Sequence, residues 1–175
     1  MTSAEEQFDI CDEDDRVIGT APRSVVHANA WLHRAVHIFV FNSRGELLLQ
    51  RRSATKDESP LKLTSSASGH LGAGEDYAAA AVRELAEEIG LTGELQFAVK
   101  LPATPATAFE HTVLYELVTD ESPTPDPVEI HSLEYVSLET ARQRLADDRD
   151  DFSSPLRVLL EWYFANPGRP GRSRP

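Results

Sequence analysis

The segment GHLGAGEDYAAAAVRELAEEIGL, from Gly69 to Leu91, constrains this chain more than any other: a glycine-rich lead, four consecutive alanines and five carboxylates. Its spacing predicts a helix over Tyr77 to Ile89, stopped by Gly90 as a C-cap. At about 100° per residue, Ala78, Val82, Leu85 and Ile89 form one stripe, the face expected to pack against a core. Glu84 and Glu88 lie one turn apart on another face with Glu87 beside them, and Tyr77, Ala80 and Ala81 flank that side, leaving room for a ligand. Like charges four residues apart destabilise a helix by a few tenths of a kcal/mol (about 0.2–0.5), and the C-terminal end of the dipole disfavours anions. A divalent cation offsets both, because Mg²⁺ and Mn²⁺ take oxygen ligands and convert carboxylate repulsion into shared coordination.

The rest of the chain limits what such a site serves. With 29 acidic residues against 17 basic ones and net charge -12, the field repels a phosphate backbone, so a nucleic-acid polymer is not an expected partner. The single cysteine, Cys11, excludes an internal disulfide framework and a thiolate metal cluster. The longest apolar run, AVHIFVF from Ala35 to Phe41, is too short to span a bilayer, and the opening MTSAEEQFDI has neither a basic nor an apolar leader. The expectation is therefore a cytoplasmic protein with no membrane contact: one domain over residues 1–167 and a disordered, arginine-bearing tail over 168–175.

Strand and helix patterns alternate along that domain. QFDICDEDDRVIGTA reads as two strands around an acidic turn, and His33 to Ser53 as a hairpin turning at Asn42 to Gly45. LKLTSSASG reads as one further strand, and GELQFAVKL, EHTVLYELVT and IHSLEYVSL as three more. DESPTPDP reads as a surface loop. Helices are expected from about Ser137 and about Ser154, the second with Pro155 in its first turn.

Taken together, Gly69, Glu75, Arg83, Glu84, Leu85, Glu87, Glu88, Gly90 and Leu91 resemble a complete Nudix box, all seven fixed letters and both aliphatic positions being present. The resemblance implies an α/β fold, an α/β/α sandwich around a mixed β-sheet, with the box as a loop-helix-loop. It assigns Glu84, Glu87 and Glu88 to metal coordination, with the Gly69 carbonyl as a further ligand. Arg83 orients a glutamate and Glu75 supports the loop. It also implies a Mg²⁺- or Mn²⁺-dependent hydrolase in which water attacks phosphorus of a small-molecule diphosphate while one of the glutamates accepts its proton. The motif leaves open which glutamate is the base, what the leaving group is, and whether the protein is a monomer or homodimer.

A second resemblance is to type I isopentenyl-diphosphate isomerases, which share the Nudix fold and bind metal through histidines. His33 and His70 fall at matching places, His27 nearly so, and with Glu110 they would form a second metal site suited to Mn²⁺ or Zn²⁺. For the diphosphate, Arg51, Arg52 and Lys56 are at hand. Adjacent strand residues point to opposite faces, so one arginine of the pair faces the site, and the resemblance points to Arg52 with Lys56 as the expected set. Ser68 and Thr112 stand where those isomerases carry a catalytic cysteine and a second glutamate. Isomerisation needs an acid and a base across a carbon framework, so the hydrolase is favoured over an isomerase, and the intact box glutamates favour an enzyme over a catalytically silent ligand-binding module. His37 and His131 are expected to be structural.

Overall fold

A computed structural model describes residues 5–167. The tail expected to be disordered lies outside these residues. Alternating side chains on the central strands explain the architecture. β3 (His33–Phe41) sends Val36, Ile38 and Val40 to one face and Phe39 and Phe41 to the other, and β4 (Leu47–Arg52) divides Leu48 from Leu47 and Leu49 in the same way. One face is covered by α2 (Tyr77–Ile89), the other by α3 (Leu138–Asp147) and α4 (Ser154–Ala165), giving the α/β/α sandwich. Among the described residues, no helix is long and apolar enough to cross a membrane.

The sheet is mixed. β8 (Glu110–Val118) runs parallel to β3 along its full length, and β7 (Gln96–Leu101) pairs antiparallel with β8 at the edge. The expected hairpin forms only at its turn. β3 and β4 pair at Phe41 and Leu47 and then diverge, β4 continuing against β9 (Ile130–Val136) and β5 (Leu63–Thr64), and β3 against β6 (Ala67–His70). LKLTSSASG is accordingly two strands, not one. Ser66, between them, bridges the divergence: its hydroxyl accepts from Val40 N at 2.8 Å and donates to the Leu48 carbonyl at 2.6 Å.

A separate two-stranded sheet, β1 (Gln7–Cys11) with β2 (Val17–Pro22), precedes a short helix α1 (Arg23–Ala28) that the sequence pattern did not reveal. Asp15, in the left-handed region (φ 61), anchors the β1–β2 turn by accepting from Arg34 Nε at 2.6 Å and the Tyr77 hydroxyl at 2.9 Å, and by pairing with Lys100.

α2 has the expected bounds, with Asp76 capping Ala79 N and Gly90 at φ 65 closing the helix. Its buried face differs. Ala80, Ala81, Leu85, Glu88 and Ile89 are buried, whereas Ala78 is exposed and Val82 is 54% exposed. The true stripe is centred near Ala81 and Leu85 and takes in Glu88, a position a purely apolar count excludes. Ala80 and Ala81 therefore fill the core rather than widen the cleft.

Candidate active site

The divergence of β3 and β4 opens a cleft of about 1000 Å³, lined by β3, β4, β6 and α2 and by the segments around Lys56 and Glu129. Glu84, Glu87, Glu88, Arg83, Gly69, His70, Glu110, Arg52 and Lys56 all line it.

Arg83 organises the acidic side. It donates two 2.8 Å bonds to Glu75, one of 2.6 Å to Glu84, one of 3.2 Å to Glu87 and one of 3.2 Å to the His70 carbonyl. Glu75 also accepts from Gly72 N at 3.0 Å, which ties the loop to the helix. Gly69 stands so close that a Cβ there would overlap the Glu84 carboxyl group. Glu88 accepts from Ser68 N at 3.0 Å and Gln50 Nε2 at 3.4 Å. Burial raises the Glu84 carboxyl to about 7, against the opposing pull of Arg83. Burial, reinforced by Glu84, raises Glu88 to about 8.

Ionised carboxylates in such a place are costly alone and favourable around a cation, which is the environment a hard divalent ion fits. The raised values give a linkage of definite sign. Between the ordinary value of 4.5 and about 7 to 8 the folded state holds protons that the unfolded state has released, so these two groups lower stability as pH rises through that window. A divalent cation held by these carboxylates would displace those protons. The rise in melting temperature on adding Mg²⁺ is therefore expected to be larger at pH 8 than at pH 6, and an equal or smaller rise at pH 8 would contradict this reading of the carboxylates.

A second cluster adjoins the first. Metal-ligating atoms of His27, His33 and His70 lie within 4.8 Å of one another. His33 Nδ1 lies 2.8 Å from the Trp31 carbonyl, which only accepts, so Nδ1 carries the hydrogen and Nε2 a lone pair. The Nε2 atoms of His27 and His33 and Oε2 of Glu110 are buried without a hydrogen-bond partner among the described residues. Burial lowers His33 to about 4 and also lowers His27, keeping these rings neutral, as metal ligation requires. Glu110 lies 3.1 Å from His70 Nε2. Burial would raise its carboxyl, but His37 and His70 outweigh that and hold it below the usual range. Phe8 packs against all three rings, with centroids 4.8 to 5.8 Å away. The donors and their orphaned lone pairs fit a metal such as Mn²⁺ or Zn²⁺.

The cationic side separates the two arginines. Arg52 lines the cleft and spends Nε on the Glu58 carbonyl at 3.0 Å, leaving its terminal nitrogens without a hydrogen-bond partner among the described residues. Lys56 pairs with Glu129 at the cleft wall. Arg51 is not part of the site: it grips Asp151 through two bonds of 2.7 and 3.0 Å and the Leu61 carbonyl at 2.7 Å, on the α4 side of the sheet. Strand alternation explains the split. His37, expected to be structural, also lines the cleft, with Nδ1 2.6 Å from Ser65 Oγ and Nε2 3.7 Å from Glu110. Arg23, which lines the cleft and pairs with Asp57, and Gln50, which donates to Glu88, went unforeseen, although Gln50, two residues before Arg52 on the same strand face, was findable by that alternation. Thr112 is fully buried, and its hydroxyl donates to the Glu110 carbonyl at 3.3 Å.

Residues 31–156 match the family model described as NUDIX domain. An isopentenyl-diphosphate Delta-isomerase of Serratia proteamaculans is 37% identical over 167 residues, spanning 93% of each chain. The uncharacterized Nudix hydrolase SCO1686 of Streptomyces coelicolor is 42% identical over 93 residues, 53% of this chain and 51% of that protein. The crystal structure of DR0079 from Deinococcus radiodurans superimposes with a TM-score of 0.80 at 27% identity, covering 90% of this chain and 98% of that one.

Proposed function

Given that the chain belongs to the Nudix family and is a Nudix enzyme, we propose that it is a metal-dependent hydrolase of the diphosphate linkage in a nucleoside diphosphate derivative or a similar small molecule. The observation that carries this reading is the convergence of Glu84, Glu87 and Glu88 on one cleft wall, the first two held by Arg83 and the third by Ser68 N, with Arg52 and Lys56 also lining the cleft. When bound by the carboxylates, Mg²⁺ or Mn²⁺ neutralises diphosphate charge and lowers the pKa of the attacking water. The side chains do the rest. Arg52 and Lys56 bind the phosphate oxygens as cations. Arg83 keeps Glu84 and Glu87 aimed. One glutamate accepts the water proton as the new P–O bond forms and the bridging P–O bond breaks, releasing a monophosphate.

The histidine cluster, with the Serratia relative, supports a second reading, an isopentenyl-diphosphate isomerase-like enzyme. Ser68 and the backbone-bonded Thr112 oppose it, since neither supplies the acid–base pair that reaction requires. A panel of nucleoside di- and triphosphates, sugar nucleotides and dinucleotides, tested with Mg²⁺ and Mn²⁺, is expected to yield metal-dependent monophosphate release from at least one member. No turnover across the panel, or conversion of isopentenyl to dimethylallyl diphosphate, would overturn the hydrolase reading.

A further inference from the structure

We infer that Gln50 is a positioning residue whose amide fixes the Glu88 carboxylate for metal coordination; this rests on the assignment of Glu88 to the metal. Gln50 sits inside the sheet, paired with Thr64 of β5 on one side and Leu133 of β9 on the other, and is only 1% exposed. Leu48, two residues earlier on the same face, belongs to the apolar core beneath α2. Hydrocarbon is the ordinary occupant of such a position, because a buried amide loses water and regains it only through partners.

Gln50 regains little. Its Nε2 donates to Glu88 Oε2 at 3.4 Å, and its Oε1 is buried with no partner among the described residues. A half-satisfied amide disfavours folding, so stability does not account for it. Its one bond does. The Ser68 N–H, on β6, donates to the same Oε2 at 3.0 Å. Donors from two different strands thus hold one oxygen of Glu88, and no donor among the described residues bonds Oε1, in a side chain that lines the cleft. Outer partners of metal ligands act in this way, fixing the ligand's orientation rather than touching the ion.

The test is Gln50→Met, which keeps length and volume and removes the amide. Metal-free melting temperature is expected to stay level or rise. Affinity for Mg²⁺ alone, read from melting temperature against Mg²⁺ concentration, is expected to fall about tenfold. Mg²⁺ prefers oxygen ligands and so reports the carboxylates rather than the imidazoles. With substrate, kcat falls and KM stays level, because Arg52 and Lys56 are untouched. Gln50→Asn, which keeps an amide but withdraws it by one methylene, is expected to lose Mg²⁺ affinity likewise, and decides the matter should the Met variant not fold. Wild-type Mg²⁺ affinity in either folded variant overturns the proposal, as does lowered metal-free stability with unchanged affinity. Absence of hydrolysis by the wild type would defeat the proposed reaction alone, since the Mg²⁺ titration needs no turnover.

Discussion

Glutamine in place of Glu88 is expected to leave the protein folded and to lower kcat by about 10²–10³-fold at saturating Mg²⁺. The two effects separate because the site's demands differ. Folding tolerates the change: Glu88 is 6% exposed, and burial has already driven its carboxyl up to about 8, so a neutral amide of the same shape suits the metal-free environment as well or better. Catalysis does not tolerate it, since an amide brings no negative charge to a cation and accepts no proton from water. Steady-state kinetics with parallel thermal melting checks both halves. A kcat within about threefold of wild type, against the loss expected for a catalytic group, would remove Glu88 from the machinery.

Gly69→Ala is expected to cost about 10²-fold in kcat although it removes no functional group. The added Cβ claims the volume of the Glu84 carboxyl. The backbone cannot retreat, because β6 is paired to β3 through Val36 and Gly69. Glu84 must swing away, breaking its bond to Arg83, and displacement of a catalytic group by about 1 Å is enough for a loss of that size. Mg²⁺ affinity should weaken in parallel. Unchanged kinetics in this variant would show that Glu84 functions from some other position.

The carboxylate wall was legible because it is local: Glu84, Glu87 and Glu88 lie within one helical turn or so, and Gly90 marks where that helix stops. Strand alternation showed that Arg51 and Arg52 part company, and the isomerase resemblance pointed to Arg52 as the one on the cleft side. Long-range relations were less readable. His27 comes from α1, attached to the separate β1–β2 sheet, His33 from the start of β3 and His70 from the end of β6, so only the fold brings their rings together. The core stripe of α2 was misjudged at Ala78 and Val82 because hydrophobicity ranks residues by composition, whereas the sheet surface decides which face is covered, and here it covers Glu88. The hairpin that opens after one residue pair carried no sequence signal, since Ser66 does its bridging with a single hydroxyl.

That bridge makes the cleft a gap between hydrogen-bonded strands rather than a hollow among loops. Its floor is set by strand spacing, whereas its rim is made by the segments around Lys56, Ala108 and Glu129, and connecting segments tolerate changes of length better than paired strands do. Diversification of such a scaffold would therefore alter which leaving group is admitted long before it disturbed the reacting centre, and a change of substrate need not be accompanied by a change of chemistry.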